Sequence, residues 1–261
     1  MSTRTDFSTP AGPAPTALPG LAVTSITPDD ATAQAAAMLI VLLAADGANV
    51  AAMVPVETGL DDPCEPGSRG ALVRWAAGHL DDPRQVTPFA LEADRSAMHA
   101  ADASGTLLHG AAFEAARDAL SDGRSVLVVA DASGVLDPVT PSLTMLDLIA
   151  RWSLGTVIVE PVQRWTVGHV RLLASVLQGR GVSVSGVMLS PADEDAAADA
   201  VTAIQDTLSA LLDCPVVVMP RVTSVHDRAE LLAAARACGL QRITVRIAPR
   251  EAPTPTEPTA A

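Results

Sequence analysis

A parallel β-sheet covered by helices is the architecture this sequence calls for, and three features call for it. Short, continuous Val/Ile/Leu runs alternate with helix-length segments along the chain. Those runs mostly lack the in-out alternation of a half-solvated strand, as expected of strands buried on both faces. One segment, Ala35 to Ala45, is apolar throughout, which suits a helix wedged between a sheet and its neighbours. Strands joined by helices give an α/β fold with a parallel sheet flanked by helices on both faces.

The elements follow in order. Leu21–Thr24 reads as a short apolar strand, and an Ala/Leu/Ile helix over 28–46 is closed by Gly47. Val50–Val54 is a second strand, ended by Pro55, and Ser125–Ala130 a third, fully buried one. A helix at 143–152 precedes the strand Thr156–Glu160. A helix at 167–179, closed by Gly181, precedes the strand Val182–Leu189. Helix 194–211, strand Val216–Val218, helix 227–237 and a last strand Arg242–Ile247 complete the series, without internal repeats.

The ends differ from the middle. Residues 1–20 and 249–261 are rich in Pro, Thr and Ala and bury too little apolar surface to offset ordering entropy, so they read as disordered tails. Residues 21–248 make one domain, large enough for a core without disulfides or metal.

Charge narrows the function. The net charge is −13 and no basic stripe is present, so neither nucleic acid nor an anionic membrane is an expected partner. All 17 basic residues are Arg, so no phosphate-binding lysine exists. Cys64, Cys214 and Cys238 are scattered without metal-ligand spacing and read as free thiols of a reducing compartment. With no signal peptide and no apolar run long enough to span a bilayer, the expected location is cytoplasmic.

In open α/β sheets ligands bind beyond the carboxyl ends of the strands. The first such loop, Ser25-Ile26-Thr27-Pro28-Asp29-Asp30, leads into a helix, the usual setting of a phosphate site. Its residues spell something else: Thr27 as N-cap, Pro28 at the first helical position, then Asp29 and Asp30 in the first turn. Two carboxylates at the positive end of a helix dipole, each worth about 0.3–1 kcal/mol to the helix, would repel a triphosphate.

Several motifs then fall in a familiar order. They are Val54-Pro55-Val56-Glu57-Thr58-Gly59 after the second strand, Val128-Val129-Ala130-Asp131-Ala132-Ser133-Gly134 at the end of the third, and Asp147-Leu148-Ile149 at a helix start. His169 opens a helix, and Gln178-Gly179-Arg180-Gly181-Val182 leads to Gly186-Val187-Met188-Leu189. Over roughly 21–225 this set resembles the dethiobiotin synthetase family, whose members have a P-loop NTPase-like fold. The resemblance places the family's P-loop on residues 25–33. There Ser25 and Ala31 replace glycines, Thr32 stands for the phosphate-binding Lys, and Ala33 for the metal-binding Thr. Val54 stands for a second lysine, Ala130 for an acidic metal ligand (Asp131 is adjacent, a weak substitute), and Ser190 for an adenine-reading Asn.

The resemblance implies a non-catalytic binding or regulatory paralogue with a degenerate ATP/Mg site, for which no cofactor is expected. The alternative is an active ATP- and Mg²⁺-dependent cyclo-ligase that closes a ureido ring on diaminopelargonate with CO₂, arginines such as Arg69, Arg74, Arg95 and Arg164 replacing the lysines. A third reading is a partner subunit of an active paralogue. By resemblance, Thr58, Ser96, Thr166, Gly168 and His169 are substrate-site positions, the last three facing a second subunit of a dimer. N–H groups at 167–169 could hold a small carboxylate; otherwise Thr166 caps the helix and Trp165 packs against a neighbour.

Overall fold

The computed structural model describes residues 18–27, 29–78, 80–190 and 198–247. Strand β1 (Gly20–Thr24) feeds helix α1 (Asp30–Ala45), and the chain returns through β2 (Val50–Met53). Residues 56–121 then form β3 (Val56–Thr58), α2 (Arg69–Ala76), α3 (Pro83–Val86), β4 (Phe89–Leu91), α4 (Ala97–Ser104) and α5 (Gly110–Ser121). Strand β5 (Val126–Ala130), a small hairpin of β6 (Pro138–Thr140) and β7 (Leu143–Thr144), and α6 (Met145–Arg151) follow. The rest is β8 (Gly155–Pro161), α7 (Thr166–Gly179), β9 (Val184–Ser190), α8 (Ala198–Leu211), β10 (Val216–Val218), α9 (Arg228–Ala237), α10 (Gln241–Thr244) and a 3₁₀ turn, Val245–Ile247.

Six strands make one sheet in the order β10-β9-β8-β1-β5-β2, with every neighbouring pair parallel. The helices that connect and flank them make this the helix-covered parallel α/β fold expected from the sequence. Strand β1 is interior, with Ala22 opposite Val129 of β5 and Thr156 of β8. All five β1 residues are buried, which explains a continuous apolar run in place of an alternating one. Helix α1 is apolar all round because it is enclosed all round: residues 35–42 are at most 1% exposed, beneath α2 and α9 on one side and the sheet on the other. Among the described residues, no helix is long and apolar enough to cross a membrane.

Several expectations change. The final segment, 242–247, is not a strand but α10 and the 3₁₀ turn. Gly239 leaves α9 in the left-handed region (φ +77°), and the next turn drops the buried Ile243 onto Gly186 of β9. A Cβ on Gly186 would lie 2.4 Å from Ile243 Cδ1, so the missing side chain is the socket for Ile243. Helix α7 starts at Thr166, one residue early, and α1 at Asp30, two residues late. The expected start of the helix at 194–211 and both tails, up to residue 17 and from 248, lie outside the described residues.

Candidate functional site

The loop that follows β1 is held shut by its own side chains. The Ser25 hydroxyl donates to the Thr27 carbonyl at 2.5 Å. The Asp29 carboxylate accepts the Thr32 N–H at 3.2 Å, and the Thr32 hydroxyl lies 3.2 Å from the same oxygen. Ser25 and Thr32 are buried beneath this turn. Asp29, not Thr27, is therefore the N-cap of α1, and only Asp30 remains in the first turn. A carboxylate is at least as good a cap acceptor as a hydroxyl, and the Thr27 carbonyl is already engaged by Ser25. Thr27 is exposed, and Pro28 lies outside the described residues.

Beside this loop opens a polar cavity of about 520 Å³. Its walls come from the start of α1 (Asp30), the 57–69 segment, the 94–96 turn and the loop after β5 (Ala132, Ser133, Asp137). Five carboxylates line it, from Asp30, Glu57, Glu65, Asp94 and Asp137, against two guanidinium groups, Arg69 and Arg95. A cavity with that balance resists anions and suits ligands with cationic groups.

Glu57 is the buried member. Its carboxylate accepts the N–H of Arg69 at 2.6 Å and of Gly70 at 2.9 Å, so it closes the N-terminus of α2 as Asp29 closes that of α1. Burial pushes its carboxyl above the ordinary glutamate value, against the pull of those two N–H groups and of the Arg69 charge. The Arg69 side chain donates from Nη1 to the Ala132 carbonyl at 3.2 Å and brings Nη2 to 3.8 Å from Asp30.

Asp131, at the carboxyl end of β5, is fully engaged. It accepts the Thr24 hydroxyl at 2.6 Å, the Ser133 N–H at 2.9 Å and the Gly134 N–H at 3.1 Å. Burial raises its carboxyl above the ordinary aspartate range despite these bonds. It acts as the clasp of the loop after β5. Among the described residues no group of three or more His, Cys, Asp or Glu is placed to hold a metal ion.

The residues that the resemblance assigned to a substrate site divide in two. Thr58 and Ser96 share the cavity wall, and the Ser96 hydroxyl lies 2.8 Å from His99 Nδ1. Thr166, Gly168 and His169 stand apart from that wall, at the start of α7. Thr166 does not cap the helix. It is buried, its hydroxyl accepts the Gln163 N–H at 2.8 Å, and it lies 2.7 Å from the Pro161 carbonyl as a donor. Trp165 occupies the cap position without a side-chain bond and is 60% exposed, its ring covered by Arg164 at 4.7 Å, not by a neighbouring element. The His169 N–H is taken by the Trp165 carbonyl.

Of the arginines weighed against the lost lysines, Arg69 and Arg95 reach the cavity. Arg74 turns to the Asp81 carbonyl, and Arg164 covers Trp165. Glu57 stands inside the Val54–Gly59 motif but, like Asp94 and Asp137, is not singled out by the sequence as a site residue. The one available signal was Ser68-Arg69-Gly70, a helix start whose glycine admits a carboxylate against the backbone.

Known proteins are similar to this chain in sequence. A family model described as an AAA domain matches residues 21–225. An ATP-dependent dethiobiotin synthetase of Novosphingobium aromaticivorans is 35% identical over 133 residues, 51% of this chain and 60% of that protein. The chain thus spans less than two thirds of that relative's length. One from Anaeromyxobacter dehalogenans is 29% identical over 171 residues, 66% of this chain and 76% of its own. A solved plasmid partition protein from Borrelia burgdorferi covers 88% of this chain and 99% of its own at TM-score 0.48 and 9% identity.

Proposed function

Because the chain belongs to an AAA domain family and is a dethiobiotin synthetase-like member of it, we propose that it is a non-catalytic binding or regulatory protein built on that scaffold. The observation that carries the reading is the Asp29 carboxylate on the first helix, where a bound phosphate would need the N–H groups for itself. Glu57 does the same for α2. The residues present do not fit ATP and Mg²⁺. No lysine exists to meet the β- and γ-phosphates, the loop has no glycine cradle, and the lone pairs of Asp131 are directed at Thr24, Ser133 and Gly134. Titration calorimetry with MgATP tests this directly. Heat that saturates at micromolar nucleotide overturns the proposal; none is expected at millimolar nucleotide.

One observation favours a second reading. Arg69 and Arg95 both line the cavity, and arginine is a good partner for anions. An active cyclo-ligase would use them where its relatives use lysines. Rescue of a biotin auxotroph lacking the dethiobiotin step would establish it, and well-folded protein without rescue rejects it.

The exposed face of α7 supports a partner in either case. Residues 161–180 carry no acidic residue in a chain of net charge −13; of their basic residues His169 pairs with Glu160 and Arg180 with Asp147, which leaves Arg164 and Arg171 for a partner. Trp165, at the cap of α7, and Leu172, within it, are each 60% exposed. A basic, apolar helix face and an acidic cavity mouth are complementary, so we place a second copy, or a paralogue, there. A small carboxylate ligand at the start of α7 and a cytoplasmic location complete the proposal. Sedimentation of the wild type against Trp165→Asp tests the dimer.

A further inference from the structure

We propose that Arg69 is an internal latch in the cavity wall that ties α2 to the loop after β5 and to the start of α1. The inference rests on the reading of an emptied nucleotide site. Three segments meet at this one residue. Its N–H is held by the buried Glu57 carboxylate of β3, its Nη1 by the Ala132 carbonyl in the loop after β5, and its Nη2 faces Asp30, the first residue of α1. Asp30, Glu57, Arg69 and Ala132 all line the cavity, so the latch is part of its wall.

The three ties differ in strength. The Glu57 carboxylate is buried and bonds a backbone N–H at 2.6 Å, so the base of the latch is fixed. The bond to the Ala132 carbonyl is charge-assisted at 3.2 Å and joins elements 63 residues apart. The Asp30 contact is 3.8 Å long, and the Asp30 side chain is fully exposed, so water and salt screen it. The latch therefore holds mainly through Ala132. The loop it grips is also clasped by Asp131 and by the Val135 N–H on the Ser25 carbonyl, which links it to the turn before α1. Arg69 thereby couples α2 to the β1 and β5 loops.

Hydrogen exchange of the full chain, followed by mass spectrometry over 131–137, tests this in the wild type, Arg69→Met and Arg69→Lys. Methionine keeps the stem and the N–H to Glu57 but removes the guanidinium. Lysine keeps the charge but offers one point of contact, not a fork. Exchange over 131–137 should rise about tenfold in Arg69→Met, the equivalent of one charge-assisted bond, and less in Arg69→Lys. Acceleration confined to 68–76, or the wild-type rate in Arg69→Met, overturns the latch. Should Arg69→Met fail to fold, the Lys variant gives the same reading: its rate must exceed that of the wild type. Addition of MgATP separates the two proposals. Slowed exchange at the start of α1 in the wild type would sink the emptied-site reading and leave the effect of Arg69→Met as it stands.

Discussion

Glu160 Oε1 and His169 Nδ1 lie 2.7 Å apart, joining the carboxyl end of β8 to the first turn of α7. The Glu160 side chain is 3% exposed and that of His169 38%. Burial pushes the Glu160 carboxyl up, the imidazole pulls it back, and the nearby Asp29 charge pushes it further up. His169 thus serves as the local counter-group for a buried acid next to the blocked loop. His169→Ala should cost about 1–3 kcal/mol at neutral pH, the penalty of leaving a buried acid short of a partner. Glu160→Gln, which needs no counter-charge, should make the loss of His169 far cheaper. Urea denaturation of both single variants and the double variant gives the coupling. Additive costs would show that the pair is incidental.

The pH dependence of stability should carry the mark of Asp131. Its carboxyl holds its proton more tightly in the folded protein than in the unfolded chain, because burial outweighs the Thr24, Ser133 and Gly134 bonds. A raised folded value means that the contribution is full below the unfolded value, near pH 4. It is lost as pH climbs through the raised folded value. Glu57 and Glu160 act in the same sense. Asp131→Asn keeps an oxygen for Ser133 and Gly134 and an amide for the Thr24 oxygen, but has no proton to lose. Unfolding free energies measured from about pH 4 upward should therefore fall less steeply in Asp131→Asn than in the wild type. Parallel slopes would remove Asp131 from the account.

What the sequence disclosed and what it hid have separate physical causes. Strands β1, β5 and β8 and helix α1 were legible because burial on both faces leaves a largely unbroken apolar run, and β9 because its start alternates Val with Ser. The 56–121 region was not, since β3 and β4 have three residues each and α3 four, too short for any period to show. The Arg242–Ile247 pattern alternates like a strand, yet the position of Ile243 is set by Gly186, remote in sequence, and tertiary packing overrides local preference. The two aspartates at the first helix were visible as an obstacle to phosphate. Which of them caps could not be read, because Thr27, Asp29 and Asp30 all suit the role. Glu57 was hidden for a similar reason: a strand carboxylate reveals its partner only once α2 is placed above it.

Asp29 carries two separable roles, cap and charge. Asp29→Ala loses the bond to the Thr32 N–H and should cost about 1 kcal/mol, the usual worth of a cap. Asp29→Ser keeps a cap acceptor and removes the charge, so its stability should stay within about 0.5 kcal/mol of the wild type. Thermal melts compare the two. Equal losses in both would mean that the charge, and not the bond, matters to α1.

Gly70, next to the cavity residue Arg69, is packed tightly against Thr87 and Glu57. A Cβ there would lie 2.0 Å from the Thr87 hydroxyl oxygen, 3.2 Å from Thr87 Cβ and 3.4 Å from Glu57 Oε2. Gly70→Ala should destabilise by about 1–3 kcal/mol, as overpacking does, and should disturb the Glu57 bond to α2 as well. The Thr87 hydroxyl is buried and has no hydrogen-bond partner among the described residues. Removing it relieves a cost of about 1–3 kcal/mol while giving up about 0.8 kcal/mol of methyl burial. Thr87→Ala alone should then be neutral or mildly stabilising, which is unusual for a buried site. The double variant should recover most of what Gly70→Ala loses, because the atom that the new methyl would strike is gone. Chemical denaturation of the four proteins measures this. A double variant as unstable as the sum of its parts would show that Glu57, not Thr87, sets the size of residue 70.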